Sequence, residues 1–186
     1  MSKLIEVLKY EILNKAIIKG AVTLSSGKHS DFYLDLRQIT LDATVAPIVG
    51  EVMLDLTKDL DYEAVGGLTL GADPVATAIL YAAARRGKKV DAFVVRKSEK
   101  AHGLQRRIEG PDVKGKRVLA VEDTSTTGGS VLTAVEALKE AGAIVVGVAV
   151  IVERGAKVFF DNTNLDYLYV YNIQELIDLV DLSDDL

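Results

Sequence analysis

The sequence predicts an α/β protein: a mostly parallel, twisted sheet flanked by helices, with a small hood contributed by about residues 1–40 of a single domain spanning 1–186. Three observations predict it. From residue 64 onward, short apolar runs alternate with helix-length amphipathic segments, the pattern of βαβ units. One run, IVVGVAVIV at 144–152, is apolar throughout, as a strand covered on both faces must be. Polar turns follow three of the strands, at Leu70–Pro74, Arg96–Gly110 and Glu122–Ser130, where parallel sheets collect their ligands. The three should therefore share one crevice.

The elements follow in order. Leu4, Val7, Leu8, Ile12 and Leu13 recur at helical spacing, and Gly20 stands where a C-terminal cap would close that helix. AVTLSSGKHSDFYLDLR then gives two short strand-like runs around the polar loop Ser25–Ser30, and residues 44–60 read as a second helix. AVGGLT is a short strand; in the following LGADP, Asp73 is the expected N-cap and Pro74 the first helical residue. VATAILYAAARR is a helix ended by Gly87, and VDAFVVR a buried strand. Val118–Val121 is a strand, and the helix from about Gly129 to Ala141 aligns Val131, Val135 and Leu138 before Gly142 stops it. Asn172 and Glu175 form the signature of a capping box for a short final helix.

Composition excludes several classes. With 22 basic and 27 acidic residues the formal charge is -5, which argues against a nucleic-acid or membrane-surface binder. Cysteine is absent, so no disulfide scaffold or thiolate metal site is available. No apolar run is long enough to span a bilayer, and MSKLIEVLKYEILNK lacks a signal-peptide core. A soluble cytoplasmic protein is expected.

The stretch VLAVEDTSTTGGS, Val118–Ser130, carries the chemistry. Unpaired N–H groups and the positive dipole end at a helix start favour an anion. Thr124, Ser125, Thr126 and Thr127 add hydroxyl donors, while Gly128 and Gly129 admit close approach and positive φ. The turn is neither a Walker A loop nor GxGxxG. Glu122 and Asp123 would repel a bare anion, but carboxylates accept hydrogen bonds from sugar hydroxyls and favour a ring that becomes cationic. A ribose 5-phosphate satisfies both halves. An acidic pair that merely caps a helix is the plainer alternative, and the TSTTGG run after an apolar strand counts against it.

This segment resembles the phosphoribosyl pyrophosphate (PRPP) motif of the type I phosphoribosyltransferases. VTLSSGKHSDFYLDLR is similar to the early segment of the orotate phosphoribosyltransferases, with Lys28 after Ser-Gly and the aromatics Phe32 and Tyr33 following. RKSEKAHG matches that family's mobile loop, its cationic residues falling at Arg96, Lys97, Lys100 and His102, and Arg154 in IVER sits where the family has an arginine near the base. KSEKAHGLQRRIEG is polar and has few residues that could pack, so it reads independently as a lid. LGADPVATA departs from relatives that carry an aromatic-lysine pair in the pyrophosphate loop, for Asp73 stands where a cation is expected.

The resemblance implies transfer of ribose 5-phosphate from PRPP to orotate, giving orotidine 5′-phosphate and pyrophosphate on the route to UMP. It implies catalytic roles for Lys100, His102 and Asp123. PRPP binding would fall to Arg96, Lys97, Lys100, His102 and Glu122 through Ser130 (Glu122, Asp123, Thr124, Ser125, Thr126, Thr127, Gly128, Gly129, Ser130), and orotate binding to Lys28, Thr126 and Arg154. Mg2+ would bridge pyrophosphate and ribose oxygens with few or no direct protein ligands. A homodimer whose lid, 97–110, closes over the partner's site is also implied. Two other classes stay open: a relative acting on a purine base, and a PRPP sensor without catalysis.

Overall fold

The computed structural model describes residues 2–23, 29–98 and 107–184. Lys28, Lys100 and His102 lie outside them. The chain begins with α1 (Ser2–Glu11), which runs on as a single π-helical turn, Ile12–Ala16, into β1 (Ile17–Thr23). β1 pairs antiparallel with β2 (His29–Leu34), Ile17 facing Leu34, and the two form a separate hairpin. Gly20 does not cap α1. It has φ 140° inside β1, where the register with β2 shifts between Lys19 and Val22. The helix ends instead at Ile17, whose backbone is already extended.

A short α2 (Arg37–Thr40), not foreseen from the sequence, leads to α3 (Ala46–Leu56). Asp42 sets the start of α3 by accepting the Thr44 and Val45 N–H groups, at 2.8 and 3.0 Å. Then come β3 (Ala64–Leu68), α4 (Ala72–Arg85), β4 (Asp91–Val95), β5 (Ile108–Glu109), β6 (Arg117–Ser125), α5 (Gly129–Glu140), β7 (Ile144–Glu153), a 3-10 turn at Lys157–Phe159, β8 (Asp166–Asn172) and α6 (Ile173–Asp184). The final helix is thus longer than expected, and Asn172 caps it by accepting the Gln174 N–H at 2.9 Å.

The main sheet has the order β5-β4-β3-β6-β7-β8, parallel except for the edge strand β5. Alternation of side chains divides the core between its two faces. Leu119, Val121, Ala149 and Ile151 pack with α1, α3 and α4, while Val118, Ala120, Val148 and Val150 pack with α5. The predicted mostly parallel, helix-flanked sheet is what the chain forms. Among the described residues no helix is long and apolar enough to cross a membrane.

Two local expectations shift. α4 begins one residue before Asp73, after Gly71, and no side chain caps it. Asp73 sits within the first turn and accepts the Thr69 hydroxyl at 2.7 Å, so its carboxylate ties the helix to the loop before it. β5 lies inside the segment expected to be a lid: Ile108 and Glu109 pair with Val95 and Val94, anchoring the far end of 97–110 to the sheet.

Candidate active site

β3 connects to β4 on one side, while β6 lies against its other side, so the order reverses between β3 and β6. That reversal opens a cleft at the strands' carboxyl ends. A crevice of about 330 Å³ opens there, lined by Leu68–Gly71 from the end of β3, Lys97 beyond β4, Glu122–Thr124 and Ser130. Tyr33, Asp35 and Arg37, at and just after the end of the hood strand β2, close it. The three polar turns do share one site.

β6 extends beyond the four apolar residues, so Glu122–Ser125 are strand and only Thr126–Gly128 is turn. Asp123 and Thr124 are half-buried beside the crevice, whereas Ser125 is 5% exposed and turned toward the interior near Tyr167. The hydroxyls left for an anion are Thr126, Thr127 and Ser130, all exposed. Gly128 adopts φ 72°, which a side chain would strain, and hands the chain into α5 with the first N–H groups of that helix facing outward. The close contact between Gly71 and the acids is also enforced: a Cβ there would lie 2.2 Å from Glu122 Oε1 and 2.9 Å from Asp123 Oδ1. The Thr69–Leu70 peptide in the same loop is cis.

Burial, then the neighbouring Asp123 carboxylate, pushes Glu122 up to about 8, and burial also raises Asp123. Asp123 Oδ1 accepts the Thr124 N–H at 2.6 Å, which favours its charge, so Glu122 is the partner that holds the proton at neutral pH. Since the folded value lies above the unfolded one, native protein binds an extra proton between about 4.5 and 8, and this acid's contribution to stability falls as pH rises through that window. Thermal melts from pH 5 to 9 should show the decline in wild type and lose much of it in Glu122→Gln.

Of the cationic residues named from the sequence, Lys97 lines the crevice. Arg96, just past β4, points elsewhere: its guanidinium stands 3.6 Å from Glu109 on β5. Arg154 follows β7, half-buried, with no carboxylate ion partner among the described residues. Burial lowers its affinity for its proton, and Tyr33 is the ionisable neighbour that opposes this. Sequence reasoning missed Arg37. Its Nε donates to Asp35 at 2.7 Å, its terminal nitrogen to the Tyr33 hydroxyl at 3.3 Å, and the Asp123 charge further favours its cation. The available signal was its place at the end of FYLDLR, directly after the hood.

A hydroxyl-rich helix start and an acidic strand end, with Lys97 and Arg37 beside them at the reversal point of a parallel sheet, make a site suited to a sugar phosphate with a cationic transition state. Residues 62–176 match the family model of the phosphoribosyl transferase domain. The chain is 62% identical over 173 residues to an orotate phosphoribosyltransferase of Streptomyces coelicolor, covering 91% of this chain and 94% of the relative. A crystal structure of the Mycobacterium tuberculosis H37Rv orotate phosphoribosyltransferase superposes with a TM-score of 0.84 at 50% identity, covering 93% of this chain and 98% of the other. A second structure of that enzyme, in complex with 5-phospho-α-D-ribosyl 1-diphosphate, gives 0.81 at 45% over the same shares. This chain belongs to the orotate phosphoribosyltransferases, within the phosphoribosyl transferase domain family.

Proposed function

We propose that the chain transfers the 5-phosphoribosyl group of PRPP to a ring nitrogen of orotate, releasing pyrophosphate, within cytoplasmic UMP synthesis. The observation that carries this reading is Arg154: a half-buried guanidinium without a carboxylate partner among the described residues, placed beside the hood. A buried charge is costly unless paired, and orotate brings a carboxylate where a purine brings none.

The 5-phosphate would rest on Thr126–Ser130 at the start of α5, and the ribose hydroxyls on Asp123 and Glu122. As the glycosidic bond breaks, positive charge grows on the ribose and the Asp123 carboxylate stabilises it from a fixed position. Lys97 and Arg37, both lining the crevice, supply cations for the pyrophosphate. Lys100 as a charge and His102 as a proton donor complete the leaving-group side, by resemblance. Arg154, Thr126 and Lys28 hold orotate.

The oxygen-only set at this strand end, including a buried Thr124 hydroxyl with no hydrogen-bond partner among the described residues, suits a hard hydrated cation. Among the described residues no three acidic or histidine side chains group closely enough to hold a metal alone, and Asp123 and Glu122 are the acids that would help hold Mg2+ together with substrate oxygens. When bound it would neutralise pyrophosphate charge. The reading extends to a homodimer with the lid 97–110 shared. An apolar groove of about 670 Å³ that includes exposed Leu41 and Tyr81 shares Arg37 and Leu70 with the crevice, so a second copy seated there would reach the site. Sedimentation at the mass of two chains is the expected result.

Arg154→Ala tests the substrate assignment. Loss of a charge-assisted bond of about 1.5–3 kcal/mol should raise the KM for orotate roughly 10- to 100-fold and leave that for PRPP nearly unchanged. An unchanged orotate KM would return the purine reading to first place.

A further inference from the structure

Arg154 is aimed by a loop whose anchor lies beneath it. Glu153, the last residue of β7, is 2% exposed and carries a carboxylate in the interior. Its Oε1 accepts the N–H of Gly155 at 2.6 Å and that of Lys157 at 3.0 Å, and its Oε2 accepts the Tyr167 hydroxyl from β8. Arg154 itself is tied by its N–H to the Ser125 carbonyl at 2.9 Å.

The same cluster reaches the phosphate turn. The Tyr167 ring stacks on Phe160 with centroids 4.5 Å apart, and Phe160 lies 3.3 Å from where a Cβ on Gly128 would stand. Gly155, at φ 114°, brings the loop against the Thr126 carbonyl, 3.4 Å from its own would-be Cβ. So Glu153 and Tyr167 sit under both the arginine and the turn, and touch neither ligand space directly.

A buried carboxylate is costly, and an apolar residue could have filled this volume. What the carboxylate adds is direction, because two N–H bonds to one oxygen define where residues 154–157 travel. We infer that Glu153, held by Tyr167, is a positioning residue that points the Arg154 guanidinium at the carboxylate of orotate. The inference rests on the reading of Arg154 given above. A purely structural anchor would instead support stability and treat both substrates alike.

Steady-state kinetics on wild type, Arg154→Ala, Glu153→Ala, Glu153→Gln, Tyr167→Phe and the Glu153→Ala/Arg154→Ala double variant separate these. Glu153→Ala is expected to raise the orotate KM about tenfold or more, with the PRPP KM within about twofold of wild type. Glu153→Gln keeps an oxygen for both N–H groups and should recover most of the loss. In the double variant Glu153→Ala should add nothing to Arg154→Ala, because it acts through that arginine. Should Glu153→Ala fail to fold, Tyr167→Phe takes its place, with an orotate-only rise of about threefold expected from one lost hydrogen bond. Equal rises in both KM values, full additivity, or a folded Glu153→Ala or Tyr167→Phe with unchanged orotate KM would overturn the inference. An Arg154→Ala enzyme with normal orotate KM would overturn the underlying reading instead.

Discussion

Asp123→Asn lowers kcat by about 10²–10³-fold while the melting temperature stays within a few degrees of wild type. The substitution keeps the shape of the side chain and an oxygen to accept the Thr124 N–H, which Asp123 Oδ1 now accepts at 2.6 Å. It removes only the charge. Burial already disfavours that charge in the free protein, so fold stability does not depend on it. The transition state does depend on it, because positive charge growing on the ribose needs a fixed anion where water is sparse. A side chain that merely capped the strand end would behave oppositely, losing several degrees and little turnover. Parallel measurements of kcat and thermal unfolding on the same preparation decide between the two.

Gly67→Ala is the substitution expected to damage the fold most. β3 is buried along its whole length and sits between β4 and β6. A Cβ on Gly67 would fall 2.1 Å from the Val121 carbonyl oxygen and 2.7 Å from the Ala72 Cβ. Neither is a flexible side-chain tip that could swing away. Relief would require moving β3 from β6 at the point where their ends form the crevice, and overpacking of this kind costs about 3 kcal/mol or more. For a chain of this length that is roughly 6–12 °C in Tm. An unchanged Tm would mean that the sheet tolerates separation there. The double glycine of AVGGLT is a feature whose reason lies in the neighbouring strand, which no reading of the strand alone supplies.

That contrast explains which parts were legible. The parallel sheet and the helix starting at Gly129 depend on periodicity and local turn chemistry, and both are written within a few consecutive residues. Asp123 and Thr126–Ser130 were singled out for the same reason. Ser125 was misplaced because the strand's end, and hence the facing of its last residue, is set by pairing with β7 as far as Glu153. Gly20 looked like a cap because a φ-permissive residue serves a bulge as well as a helix end. Arg37 joined the site unnoticed, since the hood meets Asp123 only through tertiary packing. Glu153 was passed over within IVER because its partners, Gly155, Lys157 and Tyr167, explain it only once β7 and β8 are adjacent.

Mixing the purified chain with orotate, PRPP and Mg2+ and following the ultraviolet absorbance of orotate tests the transfer itself. Loss of orotate that requires all three, with orotidine 5′-phosphate and pyrophosphate appearing in equal amounts, is the result the site predicts. Orotate left untouched by a folded chain that still binds PRPP, or a purine base consumed in its place, would contradict it.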